Sequence, residues 1–219
     1  MNRARYLRLG TAALALAGIM FALFPLTRPW QDAAGTDVGL VVATASSWWI
    51  PSHLFGALGF LLLAFATTAV LGVVMKGPGE PAARTMALLM MLGAGLILPY
   101  YCIESVGLHA VAVSGELSDT ASRVALMEAM RNDPYALGTF GVGLLLAAAA
   151  GIFLAVGIVR AREGSAVPAI AAAVLLALYL PQYFGAPWLR ITHGVLLGVS
   201  QLALAVWHHS VAQRRLRAD

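Results

Sequence analysis

Leu96-Ile97-Leu98-Pro99-Tyr100-Tyr101-Cys102-Ile103-Glu104-Ser105-Val106-Gly107-Leu108-His109 holds the sharpest conflict in this chain. It sits inside a hydrophobic run long enough to cross a bilayer. Yet it contains a proline, two tyrosines, the only cysteine, a carboxylate and a histidine. A carboxylate inside a span costs about 2.5–3.5 kcal/mol on insertion scales, and by default it marks a functional residue with a partner to be found. Pro99, five residues before Glu104, removes a helical hydrogen bond and reads as a kink.

The surroundings set the class. The chain is 60% hydrophobic and only 11% charged, whereas a soluble domain carries about 25% charged residues. The expected fold is therefore an all-α integral membrane bundle forming a single domain over 1–219. The net charge of +4 does not point to nucleic acid, because the basic residues cluster at helix ends, where membrane orientation accounts for them. One cysteine excludes an internal disulfide and any cysteine-based zinc cluster. Arginine outnumbers lysine 13 to 1 and alanine is abundant, the composition of a GC-rich bacterial genome, so the expected location is the bacterial cytoplasmic (inner) membrane. The basic N-terminus followed by Leu9 to Leu26 resembles a signal peptide, but no Ala-x-Ala site follows at the right distance, and it reads as an uncleaved first span.

Six stretches approach or exceed the ~20 apolar residues a spanning helix needs. They run over 8–27, 49–75, 85–112, 135–159, 166–185 and 189–209. The fifth is the shortest and carries Pro168 and Pro181. With the N-terminus inside, ten basic residues (Arg3, Arg5, Arg8, Lys76, Arg84, Arg160, Arg162, Arg214, Arg215, Arg217) fall on the cytoplasmic side. Four (Arg28, Arg123, Arg131, Arg190) fall outside. This bias predicts that both termini are cytoplasmic. Trp30, Trp48, Trp49 and Trp188 read as an outer aromatic belt and Trp207 as its inner counterpart. Two outer segments carry structure. Val38 to Ala45 is apolar and lies on the membrane; 119–131 is a short amphipathic helix, N-capped by Asp119 or Thr120 and stopped by Asn132-Asp133-Pro134. It is a connector or a lid. A weak internal echo, Leu96-x-Leu98-Pro99-x-Tyr101 against Leu178-x-Leu180-Pro181-x-Tyr183, hints at a duplicated hairpin.

The topology puts His53, His109 and His193 at one depth in the outer half, with Glu104 ~7–8 Å deeper than His109 on the same helix. Each histidine alone reads as an interfacial residue, and Glu104 alone as a hydrogen-bonded joint between helices. Their common depth makes the four a candidate ligand- or metal-binding set. Neutral imidazoles with a carboxylate suit zinc, iron or copper. Haem b is the second option: His53 and His193 as axial ligands, Gly56 and Gly194 admitting the macrocycle, Arg190 at the rim for propionates. The likeness to cytochrome b-type subunits is one of architecture only. The third option is a lipid or quinone in a pocket lined by Tyr100, Tyr101, Tyr183 and Gln182. Ser52-x-x-x-Gly56 and Gly194-x-x-x-Gly198 are small-residue faces that let helices approach, which predicts that the second and sixth spans touch and bring His53 to His193. Against all of these stands an accessory or assembly subunit, in an oligomer or membrane complex, whose polar residues only join helices. No HExxH, GxSxG, nucleotide-binding loop or Cys-x-x-Cys occurs, so soluble-enzyme chemistry finds no support.

The run His53-Leu54-Phe55-Gly56-Ala57-Leu58-Gly59, with Glu104-x-x-Gly107-Leu108 in the next span, resembles small multi-span bacterial membrane proteins of uncharacterised function. The resemblance covers the second and third spans. It implies the fold class and carries no activity.

Overall fold

A computed structural model describes residues 2–74, 77–115, 117 and 119–218; Lys76, counted above for orientation, and Met75, the last residue of the second span, lie outside them. The described residues are helical with no strand. Among the described residues, five helices are long and apolar enough to cross a membrane. The first, α1 (Arg3–Thr27), starts where the Asn2 side chain accepts the Ala4 N–H at 2.9 Å and ends at extended Arg28. After a 3-10 turn (Gln31–Ala34) and the short α2 (Asp37–Ala45), α3 runs over Trp49–Val74. Next, α4 (Glu80–Cys102) passes through a π-helical turn (Ile103–Gly107) into α5 (Leu108–Val113). The predicted outer helix is α6 (Thr120–Arg131), capped by Asp119, whose side chain accepts the Ser122 N–H at 2.7 Å. Asp133 caps α7 (Pro134–Ala161), with Pro134 opening its first turn. Then come α8 (Val167–Ala177), a 3-10 turn (Pro181–Phe184) and α9 (Pro187–Ala218).

The stretch expected to be a continuous span over 166–185 is therefore broken. Pro181 has no N–H to give the Ala177 carbonyl. The backbone tightens to three-residue hydrogen bonds, Tyr179 N–H to Leu176 at 3.2 Å and Tyr183 N–H to Leu180 at 3.2 Å. Only eleven residues, Val167–Ala177, remain α-helical.

The apolar helices close into a ring: α1 packs on α3 and α9, α3 on α4, α4 on α7, α7 on α8, and α8 on α9. Phe21, Phe60, Leu63, Met86, Met90, Leu144 and Leu197 fill it and are almost fully buried. Each helix turns other large apolar side chains outward, among them Leu16, Leu61, Leu88, Leu145, Ile152, Val174 and Val206. That surface suits a lipid environment and would be an aggregation liability in water. At one end of the ring the Trp207 indole donates to the Glu163 carbonyl at 2.8 Å and Arg215 pairs with Glu163. His208, also there, joins Thr11 on α1 to the Ala69 carbonyl on α3, so both chain ends lie at this end. The opposite end is covered by α2, α5 and α6 around a second small core of Leu40, Ala43, Trp49, Leu108, Ala112, Val124 and Met127.

The glycine faces pack differently from the expectation. A methyl group on Gly198 would stand 2.6 Å from the Gly18 carbonyl oxygen, and one on Gly194 2.9 Å from that of Phe21. Both glycines thus admit α1, not α3. Gly56 instead accommodates the Tyr101 ring of α4, and Ser52 donates to the Trp49 carbonyl within α3 at 2.9 Å. Trp49 is no belt residue: it is 0% exposed.

Candidate functional site

Under the cap lies a cavity of about 410 Å³, lined by residues of α1, α3, α4, α7, α9 and the 178–184 turn together with Arg131 at the end of α6. Its floor is built around Glu104. Downstream of Pro99 the helix widens, and the Leu108 N–H reaches back five residues to the Ile103 carbonyl. The Glu104 carbonyl is then available to the Trp49 indole N–H, which donates to it at 2.5 Å. Such π turns recur at functional sites because they re-aim a side chain without ending the helix. Here the turn aims Glu104 at the cavity.

The Glu104 carboxylate takes a two-pronged grip from Arg131: Nε donates to Oε1 at 2.7 Å and Nη2 to Oε2 at 3.0 Å. This fork geometry is that of guanidinium on carboxylate. The Tyr100 hydroxyl donates to Oε1 at 3.2 Å. On the other side stands His53, 4% exposed. Its Nδ1 donates to the Trp49 carbonyl at 2.7 Å, so the neutral ring presents the Nε2 lone pair to Glu104 Oε2, 3.9 Å away. Two acceptors at that separation leave a place for one hydrogen-bond donor.

A second ion pair forms the roof. Arg28 holds Asp32 with two bonds, 2.9 and 2.5 Å long, and Arg131 Nη2 lies 3.9 Å from Asp32 Oδ2. Burial pushes the Asp32 carboxyl up, but Arg28, with help from Arg131 and Arg190, outweighs it and holds the group below its ordinary 3.8. Burial likewise works against the charge on Arg131, and Glu104 and then Asp32 raise it above its ordinary value. Arg28 and Arg190 both lie over the Trp30 ring, with guanidinium carbons 4.5 and 4.9 Å from its centroid. Arg190 also stands 5.1 Å from the Tyr183 ring. Its Nε is buried without a hydrogen-bond partner, and it makes no ion pair among the described residues.

Of the four proposed ligand-set residues, His53 and Glu104 meet. The other two go elsewhere. The His109 Nδ1 donates to the Thr44 carbonyl at 2.7 Å and fastens α5 to α2. The His193 Nε2 donates to the Leu175 carbonyl at 2.7 Å and its ring stands edge-on to Tyr179. Between His53 and His193 runs a chain of rings through Tyr101 and Tyr179, whose hydroxyls are 3.0 Å apart. The two imidazoles therefore do not face each other across an open slot. No group of three or more His, Cys, Asp or Glu side chains that would hold a metal ion occurs among the described residues. With Arg131 on both oxygens of Glu104, the donor set fits neither a metal nor a bis-histidine haem. Tyr100, Tyr101, Tyr183 and Arg190 do line the cavity, while Gln182 is buried in a neighbouring crevice beside His193.

Arg28, Asp32 and Arg131 belong to the site, although the sequence reading uses Arg28 and Arg131 only for orientation and gives Asp32 no role. The i, i+4 spacing of Arg28 and Asp32 was a visible sign of a pair. Nothing local placed Arg131 over a residue 27 positions earlier. No family model matches the chain, and neither a curated protein nor a solved structure matches it.

Proposed function

We propose that this chain is a six-crossing protein of the bacterial cytoplasmic membrane with both termini cytoplasmic, and that its outer cavity binds an amphipathic small molecule. The fifth crossing is the broken segment 167–184, whose Leu180, Tyr183 and Phe184 line the cavity; unwound chain is tolerated at membrane depth where it lines a cavity. The observation that carries the reading is the lining of the cavity. Convergent polar groups (His53, Glu104, Tyr100, Arg131, Arg190) share one space with Phe24, Leu137, Phe140, Leu180 and Phe184, the mixture expected of a ligand pocket. No reaction is assigned.

Gly141 provides the test, because it lines the cavity and a Cβ placed on it meets nothing within 4 Å. A leucine there fills the space without moving the backbone. Wild-type protein extracted with its native lipid should carry a bound small molecule, seen by native mass spectrometry, that Gly141→Leu lacks at unchanged melting temperature. An identical bound complement in the two proteins would leave the polar residues as helix joints and overturn the reading.

A further inference from the structure

We propose that the cavity takes a membrane-borne amphiphile with one negative charge, a carboxylate or phosphodiester on a hydrocarbon chain, and that Arg190 anchors its head group. The inference rests on the ligand-binding reading above and names the ligand class.

The charge follows from the pairing within the cavity. Its lining holds three guanidinium groups and two carboxylates. Arg28 is committed to Asp32, and Arg131 to Glu104. Arg190 remains, with a buried Nε that has no partner and aromatic rings at 4.9 and 5.1 Å. Stacking fixes the plane of the guanidinium and leaves its edge for an acceptor, and a planar fork suits an oxyanion. A monoanion on the Nη edge of Arg190 balances the charges that line the cavity.

The hydrocarbon chain follows from the mouth. Leu137 and Gly141 at the start of α7, and Leu180 and Phe184 in the broken segment, line the cavity on its outward side. Phe184 is 89% exposed and Leu137 41%. Gly141 lies about 10 Å along α7 from Pro134, so the opening runs down from the interface into the hydrocarbon layer. A head group held at Arg190 can therefore leave its tail in the lipid, and the ligand arrives sideways from the outer leaflet.

The test uses the full chain in detergent with Trp48 and Trp188, the exposed outer indoles, changed to Phe. Trp30, beside Arg190, and Trp49, on the Glu104 carbonyl, then report from the cavity, with Trp207 at the far end of the ring as a constant background, and the probes are 9,10-dibromostearic acid and the matching dibromostearyl alcohol as bromine quenchers. The acid should quench saturably and bind about tenfold more tightly than the alcohol, a difference typical of one charge-assisted contact. Arg190→Gln, which keeps a planar group over the rings, should erase that preference, and Arg190→Lys should retain part of it. Equal affinity for acid and alcohol, or an acid affinity untouched by Arg190→Gln, would overturn the proposal. So would displacement of the acid by millimolar acetate or inorganic phosphate, which would assign the site to a water-borne anion. Gly141→Leu separates the two levels: if it blocks both probes while their affinities are equal, the cavity reading survives and only the charge assignment fails. If it blocks neither, the cavity reading fails as well.

Discussion

Glu104 is held at two points, and each has a different consequence. The Trp49 indole on its carbonyl ties the π turn to α3, and the Arg131 fork on its carboxylate ties the same turn to the end of α6. A lone carboxyl at this depth would be expected to lose its charge, and the fork is what makes a charged one tolerable. Arg131→Met strands a buried carboxylate and should cost on the order of 3 kcal/mol. Glu104→Gln should cost less, because an amide still accepts from Tyr100. The double variant should recover most of the Arg131→Met loss, since no charge is left unpaired. Unfolding followed in detergent across this cycle measures the coupling, and strictly additive losses would show that the two side chains act independently.

At the scale of elements, the sequence told which helices carry close-approach faces but not which neighbour each face meets. Small residues at i, i+4 specify that a backbone comes near. The partner's identity resides in the complementary glycine, here Gly18 for Gly198, and several glycines in the chain fit the role equally well. The same limit hid half of the site. Glu104 stood out because a carboxylate in an apolar run is costly, whereas Arg28, Asp32 and Arg131 lie in polar segments where charge is ordinary. Only the fold over of α6 makes them neighbours. Gly198→Leu should lower the melting temperature by separating α9 from α1, and Gly18→Leu should do the same. Leucine tolerated at both positions would refute that contact. The Arg28–Asp32 pair that anchors the loop after α1 makes a pH prediction. Its carboxyl is depressed in the folded state, so the stability it adds is complete above the ordinary value of 3.8 and disappears as pH falls through the lower folded value. The melting temperatures of wild type and Asp32→Asn should therefore differ at neutral pH and converge in acid; a gap that persists there would assign the loss to something other than charge.

For the whole molecule, hydrophobic length alone located the five long apolar helices, because a span needs nothing but consecutive apolar residues. It misjudged the continuity of the stretch over 166–185, since hydropathy is blind to a missing N–H at Pro181. The proposed sidedness rests on the basic residues. The basic residues are distributed ten to four between the two ends. The helix contacts place both termini at the end bearing Glu163, His208 and Trp207, opposite the cap of α2, α5 and α6. If the Glu163 end is cytoplasmic, the cavity opens to the outer leaflet; if it is reversed, every residue of the site faces the inner one. Single cysteines at Ser122 on α6 and Ser165 between α7 and α8, in a Cys102→Ser background, decide between these. Both serines are exposed and neither has the left-handed backbone of neighbouring Gly164, with φ at +95°, so the replacements fit without strain. A membrane-impermeant maleimide should label Ser122→Cys in intact cells and Ser165→Cys only after permeabilisation. The reverse pattern would invert the molecule and with it the leaflet from which a ligand is drawn. Labelling of both from outside would mean that α7, the helix between the two positions, does not carry the chain across, and would overturn the six-crossing reading.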